Sequence, residues 1–343
     1  MGNILITAPF DEKYLNELKK LEEKNIKIFY ESWIDTGKLI LPYELVERIP
    51  KDNIEFLVIE AEKIWENVLE LPQLKFLGVC RGDPESVVDI DLATKHGVLI
   101  VNTPGRNASS VAELAIALMI NLIRRIVISN NLVKAKKYDN KLQFEQYTIY
   151  RGFTLENKVI GIVGLGAVGY EVAKRLQCFN SKILVFDPYV SEEKIKSING
   201  ERVNLETLMS KSDIITIHAP VTEETKGMIS KKMFDLMKPR SYFINTARAA
   251  LIDEDALIDA LINNKIAGAA LDVYKKEPLS RRSPLLKLPE DVNIILTSHI
   301  GGATDNTIEN HSRMIVENIK SYLDGKIPKN VVNKEVLKQF NLK

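Results

Sequence analysis

The sequence predicts an α/β protein with two parallel sheets, and three observations support this fold class. Short apolar runs, typical of buried strands, alternate with polar segments of helix length. The alternation forms two series, one before about residue 104 and another from about 107 to 298. A glycine-rich turn follows the first strand of the second series. Strands that alternate with helices in this way pair in parallel through crossover connections.

The elements of the first series follow one another at regular spacing. A charged helical stretch from about Asp11 to Lys24 lies between the first two strands. The predicted strands are Asn3–Ala8, Ile26–Tyr30, Ile54–Ile59, Phe76–Cys80 and Val98–Val101.

A long helix is predicted from Asn107, because apolar residues at 111, 114, 115, 118, 119 and 122 share one helical face. Residues 129–151 are polar and lack a clear period, which suggests a helix plus a surface arm. The strands predicted for the second series are Lys158–Val163, Lys182–Phe186, Ile214–His218, Ser241–Asn245, Gly268–Ala270 and Ile294–Thr297.

The composition excludes several classes of protein. The 343 residues carry 47 lysines and arginines against 46 acids, so nucleic-acid binding by bulk charge is not expected. The two cysteines, Cys80 and Cys178, have no metal-ligand spacing and are too few for a disulfide framework. The apolar stretch 111–128 contains charged residues, and the N-terminus does not resemble a signal peptide. We therefore expect a cytoplasmic protein without a metal site or a membrane partner.

The glycine-rich turn at 164–169 is the first candidate for ligand binding. Its sequence, GLGAVG, lies between a predicted strand and a predicted amphipathic helix, and Asp187 ends the next strand, 21 residues after Gly166. In a dinucleotide site the glycines permit a tight turn, approach of a pyrophosphate and close helix packing, while the acid binds the ribose hydroxyls. Asp187 would repel a 2′-phosphate, and residues 188–190 contain no arginine, so NAD(H) is favoured over NADP(H).

Hydride transfer also requires a group that exchanges a proton near neutral pH, and histidine is the first candidate. His299 follows an apolar strand and precedes two glycines, so it is the best placed of the four histidines. His218 also ends a strand and is expected to border the cofactor. His96 is expected to be structural, at a predicted helix end, and His311 has no special sequence context.

Two further charged residues follow strand ends. Glu277 is a candidate partner that would orient the His299 imidazole and favour its protonated form. Arg248 is a candidate for bidentate binding of a substrate carboxylate. Either residue alone is more typical of a surface charge, and their shared placement after successive strands favours a common site.

Five motifs, taken in order, resemble the D-isomer-specific 2-hydroxyacid dehydrogenases. They are VNTPGRNASSVAE, GLGAVG with its acidic strand end, NTAR, LDVYKKEP and SHIGG, and they lie between residues 101 and 302. The resemblance implies a flavodoxin-like substrate domain made from residues 1–103 and 303–343. It implies a Rossmann NAD-binding domain inserted at residues 104–302. The implied reaction is reversible hydride transfer between NAD(H) and C2 of a small 2-keto or 2-hydroxy acid.

The resemblance also implies roles for matched residues. Arg248, Glu277 and His299 correspond to the catalytic residues of the family. Substrate contacts are expected at Arg81, Gly82, Arg248 and His299. The cofactor site expected from the glycine motif and the resemblance together comprises Thr103, Gly164, Gly166, Ala167, Val168, Gly169, Asp187, His218, Thr246, Ala247, Asp272 and Gly301.

Departures from the family pattern leave the substrate open. The loop Arg81–Asp91 reads RGDPESVVDID where many members have RAGTGVDNVD. The enzyme is expected to be phosphoglycerate dehydrogenase-like or hydroxypyruvate/glyoxylate reductase-like. Arg106 either contacts an anionic substrate or belongs only to the domain hinge. With 343 residues, the chain is not expected to carry a C-terminal regulatory domain of the kind found in longer phosphoglycerate dehydrogenases.

The resemblance implies a homodimer formed through the NAD domain, with the helix from 107 and the arm at 129–151 as contact elements. Formate dehydrogenases share the fold but pair their histidine with glutamine, so Glu277 argues against that activity. The alternative from another class is a non-enzymatic NADH-sensing interaction protein of the C-terminal binding corepressor type. That class keeps the same motifs, so turnover of 2-keto acids is the property that separates the two.

Overall fold

The computed structural model describes residues 2–343, apart from the side chains at positions 24, 142 and 146. Packing divides the described chain into two units. The first unit comprises the residues up to Asn107 together with Thr304–Lys343, and the second comprises Ala108–Ala303. The division predicted from the sequence differs from this one by at most four residues, because residues 104–107 pack with the first unit. The assignment of one unit to the substrate and the other to the cofactor stays a prediction.

The strands are β1 (Asn3–Ile6), β2 (Ile28–Tyr30), β3 (Ile54–Ile59), β4 (Phe76–Val79), β5 (Leu99–Asn102), β6 (Val159–Val163), β7 (Lys182–Phe186), β8 (Gly200–Arg202), β9 (Ile214–Ile217), β10 (Tyr242–Asn245), β11 (Gly268–Leu271) and β12 (Ile294–Leu296). The helices are α1 (Glu12–Lys19), α2 (Trp33–Thr36), α3 (Pro42–Lys51), α4 (Glu66–Leu69), α5 (Ile90–Lys95), α6 (Ala108–Arg124), α7 (Ile126–Lys134), α8 (Asn140–Ile149), α9 (Ala167–Leu176), α10 (Glu192–Lys196), α11 (Leu205–Lys211), α12 (Lys231–Leu236), α13 (Glu254–Ile262) and α14 (Asp305–Leu323).

The predicted α/β class with two parallel sheets is confirmed. Every predicted strand is present, with its ends shifted by no more than two residues. The sequence analysis missed β8, because a strand of three residues with two charged side chains shows no apolar pattern. Several helices begin where a polar side chain caps the first amide groups, as at Asp11 for α1 and Asp253 for α13.

The sheet of the first unit is parallel and has the strand order β2-β1-β3-β4-β5. Its strands are apolar on both faces because helices cover both, as is usual for parallel sheets. One apolar cluster joins α1 and α14 to the sheet, and a second joins α3, α4 and α5 to its other face. The chain adds strands in opposite directions from β1, so the switch point lies between β1 and β3.

The sheet of the second unit has the order β12-β11-β10-β9-β6-β7-β8, and all its pairs are parallel. Helices α6 and α9 pack on one face, and α11, α12 and α13 pack on the other. The switch point lies between β6 and β9. The turn after β6 and the residues after β9 therefore meet at one carboxyl edge, where ligands of such sheets bind.

The stretch at 129–151 contains two helices rather than one helix and an arm. Helix α7 has no buried residue, and the described side chains of α8 are exposed. Within residues 2–343, no helix is both long and apolar enough to cross a membrane.

Candidate active site

The turn after β6 begins at Gly164, where the backbone is left-handed. Its φ angle is +89°, and an added Cβ would lie 2.7 Å from the Ala219 amide nitrogen and 2.9 Å from the His218 carbonyl carbon. A side chain at position 164 would therefore be strained and would collide with the backbone that follows β9. The Gly164 amide donates to Phe186 O at 2.9 Å, which ties the turn to the end of β7.

The presence of glycine at the other two motif positions, 166 and 169, has a different structural explanation at each. An added Cβ at Gly169 would lie 2.1 Å from Gly164 O, so this glycine lets α9 pack closely on the turn. An added Cβ at Gly166 would meet no described atom within 4 Å. Gly166 is the N-cap of α9, and no described side chain caps this end of the helix. The open space and the amide groups at the start of α9, near Ala167 and Val168, fit a pyrophosphate.

Asp187 follows β7 and lies beside this turn. Its Oδ2 accepts a hydrogen bond from the Leu165 amide at 2.8 Å. Its Oδ1 accepts from the amides of Tyr189 and Val190 at 2.9 and 3.2 Å. The structure thus brings together the carboxylate and the glycine turn, the two parts expected to hold the adenosine ribose and the pyrophosphate.

Arg202 is a charged residue near Asp187 that the sequence analysis missed. It ends β8, whose register with β7 pairs Val185 with Arg202. Its guanidinium donates to the carbonyl oxygens of Asp187 and Val190 and pairs with the Glu192 carboxylate. Residues 188–190 contain no arginine, but strand pairing brings one to the same loop. Only recognition of the short strand β8 could have revealed it from the sequence.

Two buried polar atoms lack a partner at the ends of β9 and β10. They are Nδ1 of His218 and Oγ1 of Thr246, and no described residue bonds to either. The other ring nitrogen of His218 lies 3.0 Å from Thr216 Oγ1. Burial lowers the pKa of His218 to about 3, so its imidazole is neutral at physiological pH. Buried polar atoms are rarely left unbonded, so this pair fits the binding of a polar ligand beside the glycine turn.

The turn after β10 carries Thr246, Ala247 and Arg248, and it is shaped by Asn245. The Asn245 Oδ1 accepts from the Ala247 amide, and its Nδ2 donates to Arg248 O, both at 3.0 Å. Asn245 is fully buried, whereas the Arg248 side chain is exposed. A buried amide thus sets the course of the turn, and a charged side chain is presented at the edge of the sheet.

The structure brings His299 and Glu277 together. The Glu277 Oε2 lies 2.6 Å from His299 Nδ1, and its Oε1 accepts from the Tyr274 amide at 3.0 Å. An ionised carboxylate can only accept, so the pair places the hydrogen on Nδ1. No described residue bonds to Nε2 of His299, and the side chain is 46% exposed. The second ring nitrogen is therefore available for proton exchange with a ligand.

Asp272 holds the segment that carries His299. This carboxylate is 1% exposed. Its Oδ1 accepts from Thr297 Oγ1 at 2.6 Å and from the Ile300 amide at 2.9 Å, and its Oδ2 accepts from the Gly301 amide at 2.9 Å. An added Cβ at Gly301 would lie 3.0 Å from Asp272 Oδ2, so the glycine gives the carboxylate room. Contacts of Asp272 and Gly301 with a cofactor stay predictions.

Three expected site residues, Arg81, Gly82 and Thr103, lie in the first unit after β4 and β5. Thr103 is fully buried, and its amide donates to Arg81 O at 2.9 Å. Gly82 O accepts from Asn102 Nδ2 at 3.0 Å. The Arg81 guanidinium lies 3.6 Å from the Asp83 carboxylate. The structure brings these three residues together, and their contacts with substrate and cofactor stay predictions.

Arg106, whose role the sequence left open, is bonded within the first unit. Its guanidinium lies 2.5 Å from Glu60 Oε1 and 2.7 Å from His311 Nδ1. His311 is fully buried, and its Nε2 lies 2.7 Å from Pro9 O. Arginine can only donate, so Nδ1 accepts and Nε2 carries the hydrogen. Burial, reinforced by Arg106, lowers the pKa of His311 to about 4 and keeps the ring neutral.

Comparison with known proteins supports the family that the sequence motifs resemble. Residues 116–301 match the family model described as D-isomer specific 2-hydroxyacid dehydrogenase, NAD binding domain. A glyoxylate reductase from Thermococcus litoralis is 34% identical over 323 residues, which cover 93% of this chain and 96% of that protein. A D-3-phosphoglycerate dehydrogenase from Archaeoglobus fulgidus is 36% identical over 334 residues, which cover 96% of this chain and 59% of that protein.

A solved structure extends the comparison to the fold. The apo structure of D-lactate dehydrogenase from Escherichia coli matches with a TM-score of 0.76 at 27% identity, over 97% of this chain and 100% of that one. The family model covers more than half of the present chain, and the glyoxylate reductase covers nearly all of it. The chain therefore belongs to the D-isomer-specific 2-hydroxyacid dehydrogenases and is an NAD-dependent oxidoreductase that acts on CH–OH groups.

Proposed function

We propose that this protein catalyses reversible hydride transfer between NAD(H) and C2 of a small 2-keto or 2-hydroxy acid of the D series. The observation that carries the proposal is the pair formed by His299 and Glu277, in which Nδ1 is bonded at 2.6 Å and Nε2 is available. This pair belongs to the same unit as a glycine turn with open space for a pyrophosphate. A proton-exchanging group and a hydride cofactor are the two requirements of the reaction.

The roles of the residues follow from their chemistry. When bound, the nicotinamide supplies or accepts the hydride. His299 Nε2 donates a proton to the C2 oxygen during reduction and removes it during oxidation. Glu277 accepts the hydrogen of Nδ1 and holds the ring in place. Arg248 binds the C1 carboxylate and polarises the C2 oxygen, and Arg81 and Gly82 add contacts to the substrate.

The proposed cofactor preference is NAD(H) over NADP(H). The Asp187 carboxylate lies against the glycine turn, where it can accept from the ribose hydroxyls and repel a 2′-phosphate. The neighbouring Arg202 is paired with Glu192, so its charge is not free for a phosphate. The remaining proposed cofactor contacts are at Thr103, Gly164, Gly166, Ala167, Val168, Gly169, His218, Thr246, Ala247, Asp272 and Gly301.

We propose that the protein forms a homodimer through the second unit. Helices α7 and α8 and the link between them expose large apolar side chains that a monomer would leave in water. Phe144 and Tyr147 are 83% and 79% exposed, and Val133 is 56% exposed. Burial of these side chains against a second copy would give the contact its apolar core. Sedimentation of the wild type and of Phe144→Ser tests this assembly, and a monomeric wild type would contradict it.

Two kinds of substrate are open within the family. The named relatives include a glyoxylate reductase and a D-3-phosphoglycerate dehydrogenase, so this chain is proposed to reduce either glyoxylate and hydroxypyruvate or 3-phosphohydroxypyruvate. The loop at 81–91 of this chain contains several acids, which makes the phosphorylated substrate the less favourable of the two.

The test is oxidation of NADH and of NADPH by the purified protein with a panel of 2-keto acids. The panel contains glyoxylate, hydroxypyruvate, 3-phosphohydroxypyruvate, pyruvate and branched keto acids. We expect turnover with NADH in preference to NADPH and a clear preference for one small keto acid. Tight binding of NADH without turnover of any member would contradict the proposal and favour the NADH-sensing alternative.

A further inference from the structure

A positive charge lies beside the loop that carries Asp187. Arg202 ends β8, and the parallel register of β8 with β7 pairs it with Val185, two residues before Asp187. Its guanidinium donates through Nη1 to Asp187 O and through Nη2 to Val190 O. The side chain is 30% exposed, so this cation is held at the surface of the loop. A ligand at the loop can therefore contact it.

Asp187 and Arg202 hold the same short loop by opposite kinds of bond. The Asp187 carboxylate accepts from the Val190 amide at 3.2 Å, and the Arg202 guanidinium donates to the carbonyl oxygen of that same residue. The guanidinium is also bonded to the main-chain oxygen of Asp187 itself. A ribose bound by the Asp187 carboxylate is therefore close to Arg202. A phosphate on that ribose would be near a guanidinium, the group best suited to bind it.

Glu192 pairs with this guanidinium. Its carboxylate accepts from Nε of Arg202. Glu192 is the first residue of α10, and the Ser191 side chain caps that helix by accepting from the Lys194 amide at 3.3 Å. The cap fixes the backbone from which the carboxylate reaches Arg202. The positive charge at the loop is thus neutralised by a residue whose own position is set by the helix.

The guanidinium could bind a phosphate if its carboxylate partner were removed. A guanidinium has five N–H groups, and the bonds to residues 187, 190 and 192 use three of them. Without Glu192, Nε and two further N–H groups of Arg202 have no partner among the described residues. Two parallel N–H groups are enough for bidentate binding of a phosphate. The availability of Arg202 to a phosphate thus depends on its pairing with Glu192.

We infer that Glu192 is a second determinant of the preference for NAD(H), and that it acts by pairing with Arg202. The inference rests on the proposed function, in which Asp187 binds the adenosine ribose. Asp187 repels a 2′-phosphate directly. Glu192 neutralises a positive charge that strand pairing brings to the same loop, and this charge would otherwise attract the 2′-phosphate. The two carboxylates therefore disfavour NADPH by separate routes.

The test measures the dissociation constants of NADH and NADPH by fluorescence titration, which requires no turnover. The background is Asp187→Ala, because it removes the direct repulsion that would mask the second effect. Adding Glu192→Gln should lower the Kd of NADPH relative to that of NADH by about 10-fold, as expected for a hydrogen bond between charged groups. The Kd of NADH itself should change little, because NADH has no 2′-phosphate.

Two further variants separate this effect from a general loss of negative charge. Glu193→Gln removes the same charge from the next, exposed position of α10 and should leave the ratio of the two constants unchanged. Adding Arg202→Met to Asp187→Ala/Glu192→Gln should return the ratio to its value in Asp187→Ala, because the guanidinium is gone. A loop disturbed by the loss of Arg202 would weaken both coenzymes and leave their ratio unaffected.

Melting temperatures show whether each variant folds. Where a combined variant is unstable, Glu192→Gln alone gives the same test in the otherwise wild-type chain. Its gain in relative NADPH affinity should be smaller than in the Asp187→Ala background, because the Asp187 carboxylate still repels the phosphate.

Each outcome has a distinct meaning. A ratio that Glu192→Gln leaves unchanged would overturn the inference and leave the proposed reaction intact. The same would follow if Glu193→Gln gave an equal gain, or if the gain persisted after Arg202→Met, because general charge would then explain it. A wild type that binds neither coenzyme would overturn the proposed function, and this inference with it.

Discussion

The carboxyl edges of the two sheets lie at similar switch points, but their polar groups are hydrogen-bonded to different extents. In the second unit, Gly166 has open space beside it, and buried atoms of His218 and Thr246 have no partner among the described residues. At the corresponding edge of the first unit, the Arg106 guanidinium is bonded to both Glu60 and His311. An edge that leaves polar groups unsatisfied is suited to hold a cofactor. An edge that satisfies most of its own groups leaves fewer of them for a ligand.

The largest expected effect is that of replacing His299, the proposed proton-exchanging group at the carboxyl edge of the second sheet. His299 has a φ of +56°, and asparagine tolerates this left-handed backbone, so His299→Asn removes the imidazole with little strain. We expect kcat to fall by about 10²–10⁴, as is typical when a general acid is lost, while NADH binding is unchanged. Stopped-flow turnover and fluorescence titration with NADH measure the two quantities.

The control for this prediction is His96→Asn at the C-terminal cap of α5, which should leave kcat unchanged. Turnover of His299→Asn near the wild-type rate would show that another group exchanges the proton.

The next prediction distinguishes a structural role of Gly169 from a binding role of Gly166, both in the turn after β6. In Gly169→Ala the new Cβ would lie 2.1 Å from Gly164 O, so the free energy of unfolding should fall by about 2–3 kcal/mol. In Gly166→Ala the new Cβ meets no described atom within 4 Å, so stability should be unchanged while NADH binds about 10-fold more weakly. Urea unfolding and NADH titration of both variants check this contrast, and equal effects of the two substitutions would contradict it.

The free energy of unfolding should depend on pH through His311, which is bonded at the carboxyl edge of the first sheet. Its pKa is about 4 in the folded protein and 6.5 in the unfolded chain, so the unfolded state takes up a proton first as the pH falls. This residue should therefore lower the free energy of unfolding by about 2 kcal/mol between pH 7 and pH 5. His311→Gln should lose that part of the pH dependence in urea unfolding. An unchanged slope against pH would show that the ring is not held neutral.

The smallest expected effect concerns coenzyme choice at Asp187. Asp187→Ala removes the charge that repels a 2′-phosphate and leaves Arg202 at the same loop. The ratio of kcat/KM for NADPH to that for NADH should rise about 10-fold. Adding Arg202→Met to this variant should not change the ratio further, because the Arg202 guanidinium is already paired with Glu192. A ratio that Asp187→Ala leaves unchanged would exclude the ribose contact.

The two edges also differ in how much of them could be predicted from the sequence. The glycine turn, Asp187 and His299 follow strands directly, so strand prediction was enough to place them at one edge of a sheet. The partner of His299 was also predicted as Glu277, and the structure places the two groups 2.6 Å apart. Arg202 was missed because β8 has only three residues, and the surroundings of His311 were missed because its partners lie 205 and 302 residues away.

The sequence by itself determined the α/β class, the alternation of strands and helices and the order of the motifs that carry the chemistry. These properties depend on local periodicity and on residues near strand ends, which a single chain displays directly. Only the tertiary structure decided that Asp272 holds the segment of His299 and that Arg106 is bonded to Glu60 and His311. It also decided that one oxygen of Glu62 has no partner among the described residues. Such contacts depend on strand order and register, which join residues far apart in the chain and leave no periodic pattern in the sequence.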